Sequence, residues 1–290
     1  VNLCAGSLIT GTFSILPNAA AFLNFAGGTL KPSAASTTFI PTNFTGVNVY
    51  GAYGAYSGGA TIDTAGFAVT VPAGLRAPAG NGVYTIGVAD MGSGYIGEPY
   101  VSIEGPDGVG ATAVANLADD GTGSNTFKVA SITVTCPGTG YVTPPSVLLR
   151  GGGTGVTPAV AGPAGLAPNT SGGLTKAGAG VLTLSGTNTY EGATTVAEGT
   201  LKLGSPAALV TGSRVLLAGG TLDLGGLTVT NALTGTGTLT NGTLRAAGFS
   251  PGGEGVVASD TLALILRNAA LQVASTYHAD VTASGTSDQI

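Results

Sequence analysis

The tripeptide Gly-Thr-Leu, followed by a polar and then an apolar residue, occurs three times near the end of this chain, at Gly199, Thr200 and Leu201, at Gly220, Thr221 and Leu222, and at Gly242, Thr243 and Leu244. The offsets are 220 − 199 = 21 and 242 − 220 = 22 residues. A period of this size belongs to supersecondary units that cannot bury their apolar face alone and do so by stacking on their neighbours. The beat therefore constrains shape first, and function follows from what stacked units can do.

Around the beat, apolar residues alternate with polar ones. Leu182 and Leu184 flank Thr183, Leu201 and Leu203 flank Lys202, Leu222 and Leu224 flank Asp223, and Leu227 and Val229 flank Thr228. Period two marks half-buried strands. Gly178, Gly180, Gly225, Gly226, Asn241 and Gly242 stand between them, where the chain must corner. No stretch carries a 3.6-residue apolar period with caps. Short strands and Gly corners at this period fit a parallel β-helix, in which Leu lies over Leu and Thr over Thr. A β-sandwich of hairpins fits less well, because two-residue hairpin signals are irregular.

The N-terminal part shows the same pattern. Gly28, Thr29 and Leu30 repeat the tripeptide, and Gly59 to Asp63 with Phe67, Val69 and Val71 parallels Thr221 to Val229. Between the two parts lies a different unit. Gly92, Ser93, Gly94, Tyr95, Pro99, Val101, Ile103 and Gly105 are matched by Gly138, Thr139, Gly140, Tyr141, Pro145, Val147, Leu149 and Gly151, every pair offset by 46, as in 141 − 95. Each copy supplies a Gly-Tyr corner, a Pro that marks a strand start or edge, and one alternating strand. The expected organisation is all-β: N-terminal coils over 1–78, an inserted duplicated β-module over 79–168, and C-terminal coils over 169–290.

Composition narrows the function classes. Glycine fills 51 of 290 positions and only 8% of residues are charged, yet the mean hydropathy is +0.41, too apolar and too regular for disorder. The apolar run Leu262 to Leu266, which no other exceeds, is far short of the roughly 20 residues of a membrane-spanning helix. A chain opening at Val1 with no leader segment is expected to have lost its leader or to begin beyond it, which favours export. Fourteen acidic against nine basic residues give a net charge of −5, with no basic patch for nucleic acid or an anionic membrane surface. Cys4 and Cys136 are too few for a disulfide scaffold and are not spaced as a zinc motif. Two readings stay open for them: a disulfide, within the chain or between chains, or a pair of buried free thiols.

The search for chemistry favours bland readings. The single histidine, His278, shares a strand face with Asp280, but neither Ser284 nor Ser287 sits in a nucleophile elbow. Asp119 and Asp120 point to opposite faces if extended, Glu98, Glu104 and Asp107 fall at turns, and Asp223 lies on an outward ladder. None forms the facing carboxylate pair of a glycosidase. Asp119 to Asn125 lacks the ligand spacing of a calcium loop, and Gly151 to Gly155 lacks the Lys and helix of a phosphate loop. Tyr50, Tyr53 and Tyr56 read as a packed corner rather than a sugar platform. No catalytic residue, cofactor or metal is expected.

One segment points to a family. Gly172, Thr175, Lys176, Gly178 and Gly180, then Val181 to Leu184, then Asn188, Thr189 and Tyr190, Thr195 and Val196, and Gly199, Thr200 and Leu201 closely resemble the autotransporter-associated β-strand repeat of bacterial passenger regions and long secreted surface proteins. The flanks, Gly59 to Thr64 before the insert and Ser250, Pro251, Gly252, Tyr277, Asp280, Ser287 and Asp288 after it, look like the surface-protein branch. The Gly-Tyr and Pro module resembles repeats of adhesin-like and phage structural proteins. The resemblance implies a right-handed β-helix, secretion, and a stalk, passenger or surface-layer role, and it brings no catalytic residues. No translocator barrel follows within this sequence.

A solenoid has two open ends with unpaired backbone groups, and neither terminus here offers a helix, a charged edge or a proline lid. The expected partner is therefore the chain itself, stacking head to tail through β-edges into an extracellular filament or array. In that arrangement a bond between Cys4 of one copy and Cys136 of the next is one of the open pairings. The competing expectation is a monomeric stalk that displays the module to a cell-surface glycan.

Overall fold

In a computed structural model, described over residues 1–16, 19–123, 125–153, 155–246, 249–251 and 264–273, every helix or strand element is a β-strand. The first part forms β1 (Asn2–Leu3), β2 (Ser7–Thr10), β3 (Phe22–Phe25), β4 (Thr29–Pro32), β5 (Gly46–Val49), β6 (Ala60–Asp63), β7 (Ala68–Val71) and β8 (Leu75–Arg76). All their pairings are parallel. One sheet runs β1-β3-β5-β8 and a second begins β2-β4-β6. Each coil thus lays a strand on each sheet over that of the coil before.

Residues 81–168 break the pattern and form an antiparallel sheet of their own. Its strands are β9 (Asn81–Asp90), β10 (Tyr100–Glu104), β11 (Thr112–Asp119), β12 (Phe127–Cys136), β13 (Ser146–Arg150) and β14 (Val160–Pro168), in the order β13-β10-β11-β12-β9-β14. The sheet curls until its outer strands β13 and β14 meet. The 46-residue offset becomes a pseudo-two-fold: β10 pairs antiparallel with its equivalent β13, and the bridge Asn81 to Tyr141 is answered by Phe127 to Tyr95, since 81 + 46 = 127 and 95 + 46 = 141. A separate core of Val83, Val101, Val129 and both tyrosines fills the curl.

The parallel stack resumes with β15 (Leu174–Ala177), β16 (Val181–Leu184), β17 (Thr194–Val196), β18 (Thr200–Leu203), β19 (Arg214–Asp223), β20 (Thr228–Val229), β21 (Ala232–Ala246), β22 (Phe249–Pro251) and β23 (Leu264–Val273). β15 pairs directly with β6, and β16 with β7, so the coils on either side of residues 81–168 are neighbours in one β-helix-like stack. Alternation gives continuous inward ladders. Val69, Leu182, Leu201, Leu222 and Leu239 lie one over the next, all buried. Thr29, Thr61, Thr175 and Thr195 stack on the outside.

The tripeptide does not hold one place in this stack. Thr200 and Leu201 lie in register with Thr221 and Leu222, and a further copy, Gly237, Thr238 and Leu239, takes the next place in that ladder. Leu244 instead pairs with Val229, and Leu30 with Ile62 on another face. Gly-Thr-Leu marks a corner leading into a strand, and coils of unequal length carry that corner to different faces.

Candidate functional site

The repeat motif turns its distinctive side chains inward. Lys176 occupies a ladder position shared with Leu30, Ile62, Val196 and Leu217 and is fully buried. Its stem packs as an aliphatic chain while Nζ reaches a corner. There its three N–H donors are shared among Thr64 Oγ1 at 3.0 Å and the carbonyls of Ala177 (2.8 Å), Gly178 (2.5 Å) and Glu198 (3.0 Å). Burial lowers its pKa to about 8, against the pull of Asp63 and Glu198. Asn188 ties three coils together: its Oδ1 accepts from Leu75 N at 2.8 Å and its Nδ2 donates to Ala208 O at 2.6 Å. The buried Tyr190 hydroxyl meets the buried Thr194 hydroxyl at 2.5 Å, and burial raises its pKa to about 12. Gly180 lets the coil pass so close that a Cβ would strike the Phe67 carbonyl, and Gly199 takes φ +60° at the corner. Gly172 lies against Tyr50 and Gly59.

In the module, Gly94 and Gly140 take matching positive φ of 78° and 75°. They aim Tyr95 and Tyr141 into the curl, where both are buried. The Tyr95 hydroxyl accepts from Ala159 N at 2.8 Å and that of Tyr141 from Ala111 N at 3.3 Å. Pro99 and Pro145 stand immediately before β10 and β13.

A second cluster, which the sequence reading did not assemble, joins the module to the coils. Asn2, Asn24 and Asn48 form an amide ladder across β1, β3 and β5, with contacts of 2.8 and 2.9 Å. Asn2 also donates to Thr112 of the module at 2.9 Å. Next to this ladder, Tyr50, Tyr53, Cys136 and Ala26 bury one another, with Cys4, Tyr56 and Tyr84 at the margin. The Thr135 carbonyl accepts from Cys4 Sγ at 2.6 Å and from Tyr53 Oη at 2.9 Å. Burial pushes the Tyr50 and Tyr53 phenols and both thiols up, Cys136 to about 11. The Tyr50 hydroxyl is buried with no hydrogen-bond partner among the described residues. Tyr50 and Tyr53 pack edge to face at 6.1 Å. The legible signal was Asn at equivalent strand positions; what lay against that face was not legible.

Of the carboxylates weighed from sequence, four hold backbone N–H groups of turns and loops. Asp120 accepts from Thr122 N, Thr122 Oγ1 and Gly94 N, which holds its carboxyl far below the ordinary range. Asp119 accepts from Gly121 N, Asp107 from Val142 N and Thr143 N, and Asp223 from Gly225 N. Glu104, expected at a turn, instead ends β10 and pairs with Arg150 of β13 at 2.9 Å. Among the described residues no three His, Cys, Asp or Glu side chains converge as metal ligands, and no helix is long and apolar enough to cross a membrane. Ser124, Thr154, Gly252, Tyr277, His278, Asp280, Ser284, Ser287 and Asp288 lie outside the described residues, and Ser250 and Pro251 are described in backbone alone.

Residues 174–203 match the family model of the passenger-associated-transport-repeat. No curated protein and no solved structure matches the chain.

Proposed function

We propose that this chain is a non-enzymatic structural protein secreted to the cell surface: a right-handed parallel β-helix rod of the autotransporter-passenger kind, carrying the 79–168 module on one flank. The observation that carries the reading is the passenger-associated repeat at 174–203. It coincides with β15 to β18, a pair of coils stacked in register on both neighbours. Right-handedness is favoured by the general preference of parallel crossovers. The polar groups of the repeat are spent on holding coils together, which suits a rod better than a reaction centre.

The finer part of the proposal is head-to-tail stacking. Among the described residues β1 pairs only with β3 and β2 only with β4, and Ile9 near that edge is 65% exposed. Such an edge accepts a further parallel coil, supplied by a second copy of the chain or by more of the same polypeptide. A second reading, a monomeric stalk that presents the module to a glycan, is favoured by Ile96 and its two-fold equivalent Val142, which stand 69% and 77% exposed. Negative-stain electron microscopy of the concentrated full chain separates them. Fibres that lengthen with concentration are the expected result, with coils rising about 4.8 Å each. Uniform single rods would remove the stacking proposal and leave the stalk.

A further inference from the structure

The two cysteines belong to different units of the fold and meet at the seam between them. Cys4 follows β1, and period two puts it on the same face as Asn2, whose Oδ1 accepts from Asn24 Nδ2. That Asn24 amide also donates to Cys136 Sγ at 3.4 Å. Cys136 ends β12 of the module, so both sulfurs lie over the outer face of the β1-β3-β5-β8 sheet. Cys4 Sγ is 2.6 Å from the carbonyl oxygen of Thr135, the residue bonded to Cys136. Peptide dimensions then bring this sulfur within about 5.5 Å of the Cys136 Cα, a gap that rotation of the two side chains has to close to form the S–S bond. Both are free thiols in this structure.

We propose that Cys4 and Cys136 close an intrachain disulfide that locks the 79–168 module onto the first coils when the chain meets an oxidising environment. Each thiol gives up its proton, the sulfurs form one S–S bond, and the two electrons pass to a disulfide oxidant such as oxidised glutathione, which is released as two thiols. Cys136 is 1% exposed, between Asn24 and Tyr50, so a thiol from a second copy has no approach. Of the two pairings left open by the sequence, within the chain or between chains, the seam favours the first. Burial raises both thiols, so little thiolate exists at neutral pH and closure quickens as pH rises. The same burial then shields the bond from reductants. The lock is independent of whether rods stack.

The test uses the full chain, incubated with oxidised glutathione at about pH 8.5, quenched with an alkylating agent in denaturant and peptide-mapped without reductant. The expected product is a monomer with a Cys4–Cys136 cross-linked peptide, in which proteolytic release of the module is several-fold slower than in the reduced chain. C4S and C136S should each abolish the cross-link, and the folded double variant should match the reduced wild type in proteolysis. Recovery of both cysteines alkylated, of each separately glutathionylated, or of covalent dimers alone would overturn the proposal.

Discussion

Lys176 shows what a stacked coil asks of a single residue. Its position is aliphatic in the neighbouring coils, Ile62 on one side and Val196 on the other, and its four-carbon stem meets that demand. The ammonium then satisfies backbone carbonyls at a corner where the chain cannot use its own ladder. Polar and apolar residues alternate through this region, and a lysine reads naturally as outward, as Lys202 is; that Lys176 points in could be seen only once β15 was in register with β6. The inward position has a pH consequence. Below pH about 8 the lysine is protonated folded or unfolded, but between about 8 and its ordinary 10.5 only the unfolded chain keeps the proton. Stability contributed at this residue therefore rises with pH across that window. The cysteines act in the opposite sense from their ordinary 9.0 upward, so the comparison is with K176M, which keeps the stem. Urea midpoints at pH 7.5, 8.5 and 9.5 should show the wild type gaining on K176M as pH rises. A constant gap would mean that the lysine does not titrate there.

At the scale of elements, the two copies of the module show how a duplication becomes a pseudo-symmetric sheet whose copies differ in detail. The Gly-Tyr corner and the Pro before each strand were legible, because an offset of 46 residues carries every one of them. What each tyrosine does was not, since the backbone N–H it serves comes from the other copy. Tyr95 takes the Ala159 N–H at 2.8 Å, whereas Tyr141 takes that of Ala111 at 3.3 Å. Removing the acceptor leaves a buried donor unsatisfied, at about 1–3 kcal/mol. Y95F is accordingly expected to lower the stability of the module by more than Y141F, read from urea unfolding of each variant. Equal losses, or a larger one for Y141F, would count against the role given to the shorter bond. The Gly-Thr-Leu corner teaches a related lesson. It set the approximate coil length, but a corner motif does not fix which face follows it: the copy at Gly237 continues the Leu222 ladder through Leu239, whereas the copy at Gly242 places Leu244 beside Val229.

For the whole molecule, the decisive contact is β6 on β15, which joins Ala60–Asp63 to Leu174–Ala177 across the intervening sheet. The two ends of that excursion also meet, since Asn169 N donates to Gly80 O at 2.9 Å. Deleting residues 79–168 and closing the gap with a short Gly-Ser link should therefore leave a cooperatively folding β-helix with the circular dichroism of strands. The variant should also bind a hydrophobic dye more strongly than the full chain, because Tyr50 and Tyr53 lose their cover. A chain that fails to fold without the module would show that the module, not the stack, holds the first coils. The sequence by itself determined the local terms: strands, from period two; corners, from Gly and Asn; stacking, from the repeat; and an interruption, from a second and different duplication. These are short-range properties, set by which face of a strand is apolar and where φ must be positive. Only the tertiary structure decided which residues of distant coils are neighbours: that Asn188 bridges Leu75 and Ala208, that the module folds back onto Asn2 and Cys4, and that both thiols share one seam. Alternation tells a side chain which way to point, but what it points at depends on register and on the path of an insertion, and neither is written in any local stretch of the chain.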